Sequence, residues 1–304
     1  MSNKSYIFLM LFFILLTLVY AYSQEQESGQ EKKITELIKT IKSDQANKAL
    51  QTLGKIGSEQ AIDAIIGALK DDRWWIRRGA VLALDNIESE KIIQPLVAVL
   101  PDEEIRVCEA ASKKLVKIGT PAVEPLMKEL KKEKVVVRMR AASTLGKIKS
   151  EQAVPPLVVA LHDSDWMVRN EAAVALTRIN SEKAIEPLIA LLKDENSSTR
   201  EEATWILGEM KSEQAVDSLI HLLDDEHSGW MAALALGKIG SDNAVKPLVR
   251  LLKEKDVQKR RAAAWALEKM SSKKSIKALQ KALNDKDEEV RMWSQFALEK
   301  IANK

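Results

Sequence analysis

Cysteine is almost missing. Cys108 is the only one in 304 residues, so no disulfide framework can form within one chain. A charge excess is missing too. Lys and Arg number 47 against 44 Asp and Glu, a formal net charge of +3. So small an excess gives no footprint for nucleic acid, whose binding rests on neutralising phosphates. Gly (11) and Pro (8) are sparse, which disfavours a disordered or loop-rich chain. Histidine occurs only as His162, His221 and His227, followed by Asp163, Leu222 and Ser228. With no His-Glu pair and three scattered imidazoles, a multi-histidine metal centre has no ligand set. No Ser-His-Asp set, P-loop or dinucleotide glycine motif occurs either. The expectation is a protein without catalytic residues, metal or cofactor.

What is present divides the chain into three segments. Residues 1–23 carry Lys4 and then an apolar run from Ile7 to Val19, broken only by Thr17. Ala21 and Ser23 stand at the minus-three and minus-one places of a small-residue cleavage site. This is the layout of a secretory signal peptide. The run also approaches the lower limit for a membrane span, about 17 residues, so a retained anchor is the alternative. Both readings predict an exported chain, touching a membrane only through this segment. Residues 24–32 read as a flexible polar spacer.

From residue 33 to 302 the chain repeats itself about every 31 residues. New copies open at Ser58, Ser89, Thr120, Ser150, Ser181, Ser212, Ser241 and Ser272, after a diverged first copy over 33–57. The Thr120 copy is one residue short and the Ser212 copy two. Each copy holds two helical patterns. Ala61, Ile62, Ile65 and Leu69 share a face of the first, and Ile76, Ala80, Leu84 and Ile87 a face of the second. Ser at position 1 is a helix-start signal, and Pro95, Pro125, Pro156, Pro187 and Pro247 fall near a first turn. Gly57, Gly119 and Gly240 stand where a second helix ends. One hairpin cannot bury its apolar face but stacked neighbours can. The predicted fold is therefore all-α, a solenoid of about nine helical hairpins preceded by the hydrophobic signal or anchor helix.

The pattern D-x-x-x-x-V-R-x-x-A-A-x-A-L-G-x-I is carried well by DSDWMVRNEAAVALTRI from Asp163 and DKDEEVRMWSQFALEKI from Asp285. It resembles the HEAT-like repeat of the phycobilin-lyase type. The resemblance implies an α-α superhelix whose second helices line a concave groove. It also implies a structural role for the recurring acid and arginine, as a ladder between repeats. The acids are Asp71, Asp102, Asp163, Asp194, Asp225, Glu254 and Asp285. The arginines are Arg77, Arg138, Arg169, Arg200, Arg260 and Arg291. Each acid precedes a second helix, where it could cap it. Cys108 and Gly229 replace the arginine in two repeats. Weaker stacking is expected there, with Cys108 small, buried and inert.

Beyond residue 23 tyrosine is absent and Phe296 is the only phenylalanine, yet all seven tryptophans lie there. None takes a core position of the second helix. At about 100° per residue, repeat positions 18, 21 and 25 lie roughly opposite the core stripe. Trp74, Trp75, Trp166, Trp205, Trp230 and Trp265 are therefore candidate partner contacts, with Arg78, Met139, Asn170, Glu201 and Arg261 beside them. Aromatics, methionine and arginine are enriched at protein interfaces. The competing readings are packing between repeats, with Trp293 capping the last one, and a small hydrophobic ligand. The basic stretch Lys128 to Arg140 reads as a solvated helix face.

The favoured function is a non-catalytic protein- or peptide-binding scaffold acting outside the cytoplasm. The alternative from another class, implied by the resemblance, is a bilin-lyase-like accessory handling a planar ligand, which visible absorbance would reveal. A structural spacer is the third reading.

Overall fold

The computed structural model describes residues 3–303, and among these every regular element is helical. The helices form two compact bodies, Met1–Ile118 and Gly119–Lys304. The division follows the repeat that carries Cys108 in place of the ladder arginine.

The first body holds α1 (Asn3–Thr40), α2 (Ala46–Ile56), α3 (Glu59–Ala68), α4 (Trp74–Ala83), α5 (Ile93–Ala98) and α6 (Ile105–Ile118). The second holds six hairpins: α7 (Val123–Glu129) with α8 (Val135–Ile148), α9 (Val154–Ala160) with α10 (Trp166–Ile179), and α11 (Ile185–Leu191) with α12 (Ser197–Glu209). These are followed by α13 (Val216–Leu222) with α14 (Gly229–Ile239), α15 (Val245–Leu251) with α16 (Val257–Met270), and α17 (Ile276–Ala282) with α18 (Glu288–Ala302). In each body every second helix packs on its own first helix and on the next second helix. This is the nearest-neighbour stacking of a solenoid.

The apolar periodicity becomes the core as expected. Ile76, Ala80 and Leu84 are fully buried, and so are their counterparts Val168, Ala172 and Leu176. A second device sets how closely the second helices approach. A Cβ at Gly146 would lie 2.5 Å from Ala175 Cα, one at Gly208 2.9 Å from Ala235 Cα, and one at Gly237 2.6 Å from Ala266 Cα. Glycine is required at these crossings because no side-chain atom fits between the helices.

Helix ends follow the punctuation only in part. Gly57 and Gly240 end α2 and α14 with φ of 63° and 82°. Lys149, Asn180 and Ser271 take the same left-handed conformation at the equivalent place, so the cap there is a backbone demand that four residue types meet. Ser58 caps α3 by accepting from Ala61 N–H. From Ser89 onward the repeats instead open on a three-residue 3₁₀ turn, which the periodicity did not announce. Where proline follows, its ring excludes the carbonyl four residues back and a continuous α-helix cannot form. Ser218 and Ala278 follow the same turn without proline, so proline suffices for the turn but is not needed.

Three expectations need correction. Residues 24–32 continue α1 instead of forming a flexible spacer, since Glu, Gln and Lys are good helix formers. The ladder acids do not cap the second helices. Asp163 and Asp285 each accept the backbone N–H two residues on, and it is Asp165 and Asp287 that cap α10 and α18. The Gly229 joint is not left empty. Lys259 of the following repeat donates its Nζ to the buried Leu223 carbonyl, and a Cβ at Gly229 would lie 2.9 Å from Lys259 Cε. Cys108 is buried as expected, with its thiol donating to Ile105 O.

The signal or anchor reading rests largely on side chains outside the described residues. Of that run, Leu15, Leu16, Leu18 and Val19 are exposed. Among the described residues no helix is long and apolar enough to cross a membrane.

Candidate functional site

Where a repeat carries the arginine, it sits one turn inside the second helix, and its guanidinium reaches its own loop and, in most copies, the next hairpin. Arg138 donates from Nη1 to Lys132 O and Glu133 O, and from Nε and Nη2 to both oxygens of Asp163, at 2.6 and 2.8 Å. Arg77 with Asp102, Arg200 with Asp225 and Arg260 with Asp285 repeat the bridge 25 residues apart. Asp71 has a different partner: its carboxylate pairs with Arg73. Among the described residues Arg291 makes only the loop bonds, to Asp285 O and Lys286 O.

One rung is diverted. Arg169 keeps its loop bonds to Asp163 O and Ser164 O but turns its Nε to Glu202, at 3.3 Å. Asp194, the acid in register with it, accepts from His162 Nε2 at 2.9 Å instead.

These bridges make the fold acid-sensitive. Burial pushes the Asp163, Asp225 and Asp285 carboxyls up. Their arginine and backbone N–H donors outweigh it and hold all three below the ordinary range. Arg261 holds Asp287 down to about 2. A carboxyl whose folded pKa lies below its unfolded value stabilises the fold fully above the unfolded value, near 4. That contribution is lost as pH falls through the folded pKa. The melting temperature should therefore be flat above about pH 5 and fall steeply between about pH 4 and 2. A midpoint unchanged over that window would remove the ladder as a stabilising element.

The face of the second helices carries the candidate contacts. In the first body, Trp74 and Trp75 meet edge to face at 6.1 Å, and the Arg106 guanidinium lies 3.8 Å from the Trp74 ring centre. Trp75 is 47 % exposed. Arg78 borders a groove of about 400 Å³ with Leu82, Arg106, Glu109 and Lys113. At its floor Lys114 is buried, donating to Asp85 O and Ile87 O, and burial lowers its pKa.

In the second body the face is less uniform. Trp166 is 64 % exposed at the start of α10. Asn170, Glu201 and Trp205 are brought together in a pocket of about 360 Å³, with Arg169, Glu202 and Met231. Met139 and Trp230 are half-buried and line neither this pocket nor the groove. Trp265 packs toward the preceding hairpin, its Cζ3 3.2 Å from where a Gly237 Cβ would stand, with Lys269 over its ring. It thus belongs partly to the packing between repeats. Arg261 is committed to Asp287 and Glu289 and is not a free contact. Trp293 meets Phe296 edge to face.

Sequence reasoning missed Glu202 and Met231. It also missed a column that the repeat phase would have shown. Position 25 is apolar in five consecutive repeats, as Val174, Trp205, Leu234, Trp265 and Phe296, none of them buried. Among the described residues no cluster of His, Cys, Asp and Glu could hold a metal ion.

Stacked hairpins with a shared core, glycine crossings and an arginine ladder define an α-solenoid repeat protein. The model of HEAT repeats matches over residues 34–117, 93–177, 123–199, 154–230 and 229–299, and the chain belongs to that family. Among solved structures it is similar to a chain in a structure of Kap95p binding to RanGDP, at 17% identity over 88% of this chain and 45% of that one, with a TM-score of 0.60. An engineered protein matches at 24% identity over 89% of each chain with a TM-score of 0.42. Human deoxyhypusine hydroxylase matches at 21% identity over 92% of this chain and 99% of that one, with a TM-score of 0.35. No curated protein matches.

Proposed function

We propose that the chain is a non-catalytic scaffold that binds a protein or peptide outside the cytoplasm, through the face of its second helices. The observation that carries this reading is the exposure of indoles on that face. Trp75 and Trp166 are 47 % and 64 % exposed while the core is filled by Ala, Leu, Ile and Val. Trp is a costly residue to leave in water and the one most enriched at binding hot spots. That Kap95p binds RanGDP supports the capacity of such a fold to carry a protein partner. Exposed Leu15, Leu16, Leu18 and Val19 support export or tethering by residues 1–23, since an apolar stretch left in water marks a contact surface. The finer assignment to the phycobilin-lyase type of HEAT-like repeat rests on the D-x-x-x-x-V-R pattern and belongs to this reading.

Affinity capture from envelope extract tests it. The wild-type chain is compared with a Trp75→Ala, Trp166→Ala, Trp205→Ala variant of matched helical circular dichroism. Each central indole should contribute on the order of 2 kcal/mol, so the folded variant should lose the partner. Equal capture by both would move the site off this face.

A further inference from the structure

The pocket among α10, α12 and α14 holds an electrostatic irregularity. Glu202 Oε2 is buried there and has no hydrogen-bond partner among the described residues. Burial pushes the Glu202 carboxyl up. The groups facing it are Arg169, which pulls it down, Glu201 on its own helix, which pushes it up, and His162 in the preceding loop, which pulls it down. Met231 is the α14 residue at this pocket and brings no charge. A buried carboxylate oxygen without a donor is costly, and native proteins rarely keep one without a use. The ladder is broken at the same place, because Arg169 leaves the acid in register to supply the one hydrogen bond that Glu202 accepts among the described residues. Arg169 is itself held by two loop carbonyls, so it cannot move inward to serve the second oxygen.

Resting on the scaffold reading above, we infer that this pocket is an anchor site for an arginine side chain of the partner polypeptide. On binding, the Glu202 side chain, 20 % exposed, turns so that Oε2 reaches the pocket, where it and the Glu201 carboxylate accept from the guanidinium and the Trp205 ring covers its face. The chemistry selects arginine. A guanidinium is planar, presents donors in a fixed fork and stacks on an indole, whereas two carboxylates beside one ring repel an acidic anchor and are desolvated without compensation by an apolar one. The neighbouring apolar column, Leu234 and Trp265 toward one side and Val174 toward the other, then lies under the apolar side chains flanking the arginine.

The test is a random-peptide display selection on the full chain. Each recovered peptide is resynthesised with arginine replaced by its neutral isostere citrulline. Both forms are titrated calorimetrically into wild type, Glu202→Gln and Trp205→Ala, with melting temperatures matched. Expected are peptides whose binding depends on Trp205 and in which one citrulline lowers affinity for wild type about tenfold or more. Glu202→Gln should erase most of that difference. Equal affinity of the arginine and citrulline forms for wild type overturns the anchor, as does full discrimination by Glu202→Gln. If Glu202→Gln does not fold, Glu201→Gln must reduce the discrimination for the anchor to stand. Peptides that depend on Trp205 but contain no arginine overturn the anchor alone and leave the scaffold face intact. Recovery of no Trp205-dependent peptide overturns both.

Discussion

Arg138→Ala lowers the stability of the second body by about 3 kcal/mol, whereas Arg291→Ala costs about 1 kcal/mol or less. The two arginines occupy the same place in their repeats and make the same two loop hydrogen bonds. They differ in the carboxylate. Arg138 and Asp163 are each only 12 % exposed, and truncating the arginine leaves a poorly hydrated charge without its counter-ion. Arg291 makes no ion pair among the described residues, so its loss exposes two loop carbonyls that water can serve. Equilibrium urea unfolding of both variants measures the difference. Adding Asp163→Asn to Arg138→Ala should recover part of the loss, because the orphaned charge goes while the Asp165 N–H keeps an acceptor. Equal destabilisation by the two alanine variants would mean that the loop bonds, not the bridges between repeats, hold the stack.

Gly146→Ala destabilises by about 2 kcal/mol although alanine is the better helix former. Propensity alone favours the change by about 1 kcal/mol. The new Cβ would stand 2.5 Å from Ala175 Cα and 2.7 Å from its Cβ, both parts of rigid backbone or its first side-chain atom. Neither can step aside, so α8 and α10 must part along their length. Gly67→Ala is the control. Nothing lies within 4 Å of its added Cβ, so propensity acts unopposed there, and the change stabilises by up to about 1 kcal/mol. Thermal melts of the two variants should move in opposite directions. A stabilised Gly146→Ala would show that the helices have slack at the crossing.

The hairpins, their core and the ladder were legible in the sequence because each is written several times over. Ile76 could be assigned to the core because Val168 and Val290 stand at the same place in other copies, and all three are buried. Features written once were not legible. The exchange of partners among Arg169, Glu202, Asp194 and His162 depends on which of two acids lies nearer a guanidinium, a matter of ångströms that no repeat position encodes. Lys259 filling the space at Gly229 was hidden for a related reason: a shortened repeat leaves a gap, and a long side chain from the neighbour takes it. Arg261 was read as a free contact because its partner, Asp287, also has the local task of capping a helix. Helical phase kept the tryptophans out of the core, and none of them is buried. How deeply each ring sits depends on the residue across the joint, and for Trp265 that residue is a glycine.

Within the second body, two joints, α8 with α10 and α12 with α14, are fastened at two separated points of the second helix. The arginine bridge lies near its start and a glycine-on-alanine contact near its end, as for Arg138 with Asp163 and Gly146 with Ala175. Two fastenings remove the pivot that one would leave. Of the joints beneath the column from Val174 to Phe296, that of α12 with α14 is fixed in this way, which holds Trp205 and Leu234 at a set interval. On the proposed scaffold reading, a partner would meet those two side chains at a spacing that only their rotamers adjust.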